Sequence, residues 1–147
     1  MTFKTNWNLS RYFYTSLDDP KFLADIAAIM PMTKAFAEKY REKFGKFTKP
    51  SEILEFYTDY TKLSYDMAKP SYFLFYRSSL DTQDLEVTKK MGEVDYIYTE
   101  ASNLLLFVSQ GWKEIGYERI MEWSCDPLME KYKNDLVSTA DGIKYIL

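Results

Sequence analysis

The stretch DDPKFLADIAAIMPMTKAFAEKYREKFG, residues 18–45, decides the fold because its apolar side chains recur at the spacing of an α-helix. Asp18-Asp19-Pro20 is typical of a helix start, since an aspartate can cap free amides and proline is tolerated in the first turn. Apolar and aromatic residues then follow every three or four positions, which places them on one helix face. We predict a helix that ends at Gly45 and that Pro31 kinks or splits.

The rest of the chain continues this helical pattern. Residues 1–17 predict an extended or irregular segment that leads into the first helix. No segment alternates with period two, and the chain has only five glycines, so no sheet is expected. We therefore predict a single all-α domain over residues 1–147, an antiparallel bundle of about six helices. The further helices are expected over residues 50–67, 72–79 after a kink or break at Pro70, 84–110, 117–123 and 128–136.

The glycines within this pattern carry separate expectations. Gly92 lies inside the predicted helix 84–110, where glycine costs about 1 kcal/mol relative to alanine, so we expect a packing reason for it. Gly111 and Gly116 are expected to bracket a bend.

Composition excludes several classes of function. The chain contains no histidine and a single cysteine, Cys125. Histidine is the usual general base near neutral pH and the commonest metal ligand, so we predict no catalytic, cofactor-binding or metal-binding residue in this chain. A net charge of −3 argues against sequence-independent nucleic-acid binding. The N-terminus does not resemble a signal peptide, and the apolar run Leu104–Val108 is too short to cross a bilayer, so we expect a cytoplasmic protein without a membrane partner.

Clustered carboxylates offer the remaining chemistry. Asp81, Asp84 and Glu86 suggest either a calcium or magnesium site or the cap of the next helix. Capping is favoured, because the alternating oxygen ligands and central glycine of a calcium loop are missing. The pair Glu118 and Glu122, and the group Glu52, Glu55 and Asp59, are interpreted as solvated helix surface rather than acid–base pairs. Cys125 is interpreted as a small apolar residue at a helix junction.

Aromatic residues make up 18% of the chain, more than a small core needs, so some are expected on exposed faces or at an interface. Tyr72, Phe73, Phe75 and Tyr76 could form a stacking platform for a ligand. Their spacing covers every side of a helix, so most are expected to be buried between neighbours.

Several segments carry a resemblance to a known family. They are Trp7-Asn8-Leu9-Ser10, Asp18-Asp19-Pro20, the run Phe36–Phe44, the helix start at Pro50, and Leu80-Asp81-Thr82-Gln83-Asp84. In this order and spacing the chain resembles the N-terminal helical region of oligoendopeptidase F and related thimet-oligopeptidase-like zinc metallopeptidases. The terminal Lys144-Tyr145-Ile146-Leu147 is similar to the family segment that leads into a following helix. Asn8 departs from the usual aspartate, and Pro31 interrupts the first helix.

The resemblance implies a role without chemistry of its own. The zinc of that family is held by a His-Glu-x-x-His helix in the large C-terminal domain, and no such motif occurs here. The expected function is therefore a non-catalytic domain that packs against a catalytic metallopeptidase domain and walls its channel for short peptides. The zinc would be bound only by that other domain.

Two other classes of function remain open from the sequence. One is a stand-alone helical adaptor that binds other proteins and can form a homodimer. The other, ranked last, is an enzyme that uses only tyrosine, lysine, glutamate and aspartate.

Overall fold

The computed structural model describes residues 14–144, and every regular element in that range is helical. Two 3-10 turns, Phe44–Lys46 and Pro127–Tyr132, precede the second and the last α-helix. The six α-helices of these residues confirm the predicted all-α class. They are α1 (Pro20–Tyr40), α2 (Pro50–Leu80), α3 (Leu85–Asn103), α4 (Leu106–Ile115), α5 (Tyr117–Ser124) and α6 (Lys133–Lys144).

The predicted extended segment falls only partly within the described residues. Residues 14–19 form bends and turns, as expected, whereas residues 1–13 and the terminal residues 145–147 lie outside. The cap predicted at the start of α1 is confirmed. One Asp19 carboxylate oxygen accepts from the Lys21 amide at 2.9 Å, and the other accepts from the Thr15 amide at 2.8 Å. The bond from Lys21 satisfies an amide that the first helical turn leaves free, and the bond from Thr15 ties the preceding segment to the helix start.

Neither internal proline divides its helix, so the splits considered at Pro31 and Pro70 do not occur. α1 passes through Pro31 and ends earlier than expected, at Tyr40, and α2 passes through Pro70 as one helix of 31 residues. A proline in a helix interior removes one backbone hydrogen bond. Buried side chains on both sides offset this cost, Ile29 and Thr33 around Pro31 and Met67 and Phe73 around Pro70.

The predicted helix 84–110 is also wrong, because α3 ends at Asn103 and α4 begins at Leu106. Gly111 lies inside α4, and the bend comes at Gly116, whose φ of 89° is the left-handed region that favours glycine. The final segment begins with a 3-10 turn capped by Asp126. It continues as α6 to Lys144, eight residues beyond the predicted end near Leu136.

α1 and α2 run antiparallel and span two aromatic clusters. Near one end, the ring centroids of Phe22 and Phe73 are 5.1 Å apart, and towards the other end those of Phe36 and Phe56 are 5.6 Å apart. α3 completes the first cluster. The larger second cluster also takes in α4, α5 and α6. Ile97 on α3 packs against both, so the two clusters are joined through the helices they share.

Gly92 has no packing reason, contrary to the sequence expectation. It is exposed on α3, and a Cβ atom built there would have no neighbour within 4 Å. We expect Gly92→Ala to raise the free energy of unfolding by about 0.5–1 kcal/mol, because alanine loses less backbone entropy in a helix. Urea denaturation of the two proteins checks this value. A loss of stability would mean that a Cβ atom at position 92 does meet a neighbouring atom.

Candidate functional site

The acidic residues at the start of α3 act as caps. One oxygen of the Asp84 carboxylate accepts from the amides of Glu86 at 3.0 Å and Val87 at 3.3 Å. An Asp81 carboxylate oxygen accepts from the Gln83 amide at 3.0 Å. Both carboxylates therefore face backbone amides, which favours capping over cation binding. Within residues 14–144, no group of three or more acidic or cysteine side chains could hold a metal ion.

The group Glu52, Glu55 and Asp59 forms surface ion pairs and a helix cap. Lys39 Nζ lies 3.0 Å from a Glu55 oxygen and 2.7 Å from an Asp59 oxygen, and the Tyr40 hydroxyl donates to Asp59. Hydrogen bonds from Lys39 and Tyr40 lower the pKa of Asp59, so this group stays charged. Glu52 instead accepts from the Lys49 amide at 3.2 Å, near the start of α2.

Two further predicted residues lie on the surface. Glu118 and Glu122 on α5 are both exposed, as expected. Cys125 does follow the last residue of α5, at a helix junction, but its side chain is exposed. The predicted place of Cys125 at a helix junction is confirmed.

An apolar groove lies between α2 and α3. This α2–α3 groove has a volume of about 370 Å³ and is lined by Ser71, Tyr72, Leu74, Phe75, Met91 and Asp95. Tyr72 and Phe75 are 60% and 69% exposed, a high fraction for large apolar rings. Six of the ten exposed large apolar side chains of the described residues lie between positions 72 and 98, so exposed apolar surface is concentrated on this helix pair.

The four clustered aromatic residues of α2 divide between core and surface. Phe73 is buried and Tyr76 is half-buried, whereas Tyr72 and Phe75 are exposed. The expectation that most would be buried is thus only half correct. At this end of α2, the described neighbours are α1, α3 and the segment with Tyr14 that precedes α1, and they leave the Tyr72 and Phe75 rings exposed.

A second groove, different in character, lies where α2, α4 and α6 meet. This α2–α6 groove has a volume of about 470 Å³. Buried aromatic side chains, among them Tyr57 and Trp112, form its floor. Its rim is polar and includes the exposed Asp135 carboxylate and the side chain of Thr139, both from α6. A pocket of this size with an apolar floor and a few polar groups is typical of a small-ligand site.

Tyr57 is held firmly in the floor of this groove. Its ring stacks on that of Tyr132 with centroids 4.9 Å apart, and the Trp112 centroid is 5.8 Å away. Burial raises the pKa of Tyr57 to about 12, although a hydrogen bond with the Thr139 side chain opposes this shift. The phenol therefore remains neutral throughout the physiological range.

This shift predicts a contribution to alkaline unfolding. The pKa of Tyr57 is higher in the folded state than the ordinary value of 10.0, so its stabilising effect is complete below about pH 10 and is lost as the pH rises towards about 12. We expect Tyr57→Phe to make the fall in unfolding free energy shallower in that window. Urea titrations between about pH 9 and about pH 11.5 measure the slope. Exposed Tyr65→Phe is the control, and equal slopes for both variants would contradict the expectation.

Sequence reasoning named some residues of the α2–α3 groove but missed the α2–α6 groove. Tyr57, Trp112 and Asp135 are far apart in sequence and meet only through the packing of three helices. The surplus of aromatic residues was the one signal that pointed to partly exposed rings.

No protein-family model matches the chain, and no similar curated protein or solved structure was found. Within residues 14–144, no helix combines the length and apolar character needed to cross a membrane.

Proposed function

We propose that this chain is a non-catalytic helical domain that packs against the catalytic domain of an oligoendopeptidase F-like zinc metallopeptidase and helps to wall its channel for short peptides. The observation that carries the proposal is the exposed α2–α3 groove with Tyr72 and Phe75. The complex would work in the cytoplasm, where a lone cysteine needs no disulfide partner.

The energetics of the groove favour a covered state. Burial of one large apolar side chain contributes about 1.5–3 kcal/mol. Tyr72 and Phe75 make little of this contribution in the isolated chain, because both rings are mainly exposed. Tyrosine and phenylalanine are also enriched in the buried centres of interfaces. A partner that covers this groove would therefore bind with a more favourable free energy than a partner that covers the charged faces of α5.

The positions of the family-like segments also support this proposal. Asp19-Pro20 begins α1, Pro50 begins α2, and the segment from Leu80 to Asp84 joins α2 to α3. The resemblance therefore falls at helix boundaries in consistent order. The reacting groups would come entirely from the other domain, since the chain has no histidine to bind zinc.

A reconstitution experiment tests the proposal. An oligoendopeptidase F enzyme is produced without its own N-terminal helical region and mixed with this chain, and cleavage of a quenched fluorescent peptide is followed. We expect the chain to bind and to increase cleavage. Phe75→Ser is expected to weaken binding about tenfold or more, as loss of a central aromatic contact does. Leu128→Ser is the control, because Leu128 is exposed on the 3-10 turn before α6.

The other outcomes separate the alternatives. If the truncated enzyme is not bound and native mass spectrometry gives a dimer that Phe75→Ser dissociates, the groove serves a homodimeric adaptor instead. If the chain is monomeric and does not bind, both functions are wrong.

A further inference from the structure

The α2–α6 groove combines aromatic rings with a single charged group. Tyr57, Tyr60 and Trp112 line it together with Asp135, Ser138 and Thr139. Asp135 is its only charged lining residue, since no described lysine or arginine lines it. This carboxylate is exposed on α6 and makes no ion pair with any residue in the range 14–144. The groove therefore carries negative charge that no described cation neutralises.

Three acidic residues of α2 differ from Asp135. Asp59 and Glu55 share the Lys39 ammonium, and Asp66 pairs with Lys62 at 2.6 Å. The Asp135 carboxylate therefore differs from these three carboxylates of α2, each of which has a lysine partner. A ligand cation could approach Asp135 without competing with a described lysine.

Aromatic side chains beside a carboxylate favour one class of ligand. Electron-rich ring faces attract organic cations, most strongly where water is excluded, and a carboxylate adds a charge-assisted hydrogen bond. The rings here are already fixed, because Tyr60 stacks on Phe56 with centroids 5.5 Å apart and Tyr57 stacks on Tyr132. Little side-chain entropy is lost when a ligand binds to rings held in this way.

We propose that the α2–α6 groove binds an alkylammonium group, as carried by a lysine side chain or by the N-terminus of a peptide. The ammonium pairs with Asp135 and with the hydroxyls of Ser138 and Thr139, while its alkyl part lies over Tyr57, Tyr60 and Trp112. The proposal goes beyond the docking role of the α2–α3 groove and concerns this chain alone. Either proposal can therefore fail without the other.

The experiment titrates the full chain with three probes. Nα-acetyl-lysine methylamide carries only a side-chain ammonium, and trialanine amide carries only an α-ammonium. Nα-acetyl-norleucine methylamide has the same alkyl chain as the first probe but no charge. Calorimetry measures affinity, and the NMR signal of the Trp112 indole, assigned with Trp112→Phe, reports occupancy of the groove. We expect at least one ammonium probe to bind at millimolar concentration or below and the neutral probe to bind at least tenfold more weakly.

Two aspartates of α6 provide the matched variants. Asp135→Asn is expected to weaken binding of the ammonium probe about tenfold, whereas Asp141→Asn, exposed on the same helix and outside the groove, leaves it unchanged. Tyr60→Leu keeps an apolar side chain but removes a ring, and it is also expected to weaken binding. The preferred ammonium probe identifies the lysine side chain or the peptide N-terminus as the source. The proposal would be overturned if neither ammonium probe binds, or if the neutral probe binds as tightly as the ammonium probes. It would also be overturned if the two aspartate variants weaken binding equally.

Discussion

Replacing Phe44 with alanine is expected to lower the free energy of unfolding by about 3–5 kcal/mol, the largest effect that we predict for a single substitution. The Phe44 side chain is fully buried in the 3-10 turn that follows α1. Its ring centroid lies 4.3 Å from that of Phe56 and 4.9 Å from that of Trp112. Alanine would leave a cavity at the centre of the larger cluster, where rings from several helices meet.

Phe75→Ala is the control for this substitution. Phe75 is a phenylalanine of α2, but its ring is mainly exposed. Its replacement is therefore expected to change the free energy of unfolding by no more than about 0.5 kcal/mol. Denaturation with guanidinium chloride gives both values. A change of less than about 1 kcal/mol for Phe44→Ala would show that the ring is not buried as described.

Gly111→Ala is expected to destabilise the protein by about 1–3 kcal/mol, although alanine is the better helix former. A Cβ atom at this position would lie 2.0 Å from Phe44 Cδ1 and 2.7 Å from Cε1. The fixed neighbours of that ring leave it little room to move, so α4 and the 3-10 turn must separate. Gly92→Ala, where nothing lies near the new atom, is the matched control with the opposite expected sign.

The two core substitutions are also expected to be strongly non-additive. With Phe44 already replaced by alanine, the added methyl group at position 111 meets no ring, so Gly111→Ala is expected to be close to neutral or stabilising by up to about 1 kcal/mol. A double-mutant cycle by chemical denaturation measures this coupling. Additive effects, within about 0.5 kcal/mol, would exclude the proposed contact between Gly111 and the ring.

Local sequence signals predicted the helix starts well because their causes are local. Asp19, Asp84 and Asp126 accept bonds from amides two or three residues ahead, and this chemistry needs no tertiary contact. The alternative in which a proline divides its helix was wrong for the opposite reason. Burial of residues such as Met67 and Phe73 comes from other helices, and it outweighs the hydrogen bond that Pro70 removes.

The break between α3 and α4 could not be read from local signals. Leu104 and Leu105 are ordinary helix formers, and no glycine or proline marks the position. Gly111 and Trp112 of α4 pack against Phe44, which is a long-range contact that local signals do not reveal. The α2–α6 groove depends on the same packing of α4, because Trp112 is part of its floor.

The most direct test of the central claim, that this chain contributes surfaces and no reacting group, is peptide hydrolysis by the purified protein. A quenched peptide is incubated with the 147-residue chain, with added zinc and with a chelator. We predict no cleavage above buffer in either condition, because no histidine is present to hold zinc. Chelator-sensitive cleavage that co-purifies with the chain would contradict the account.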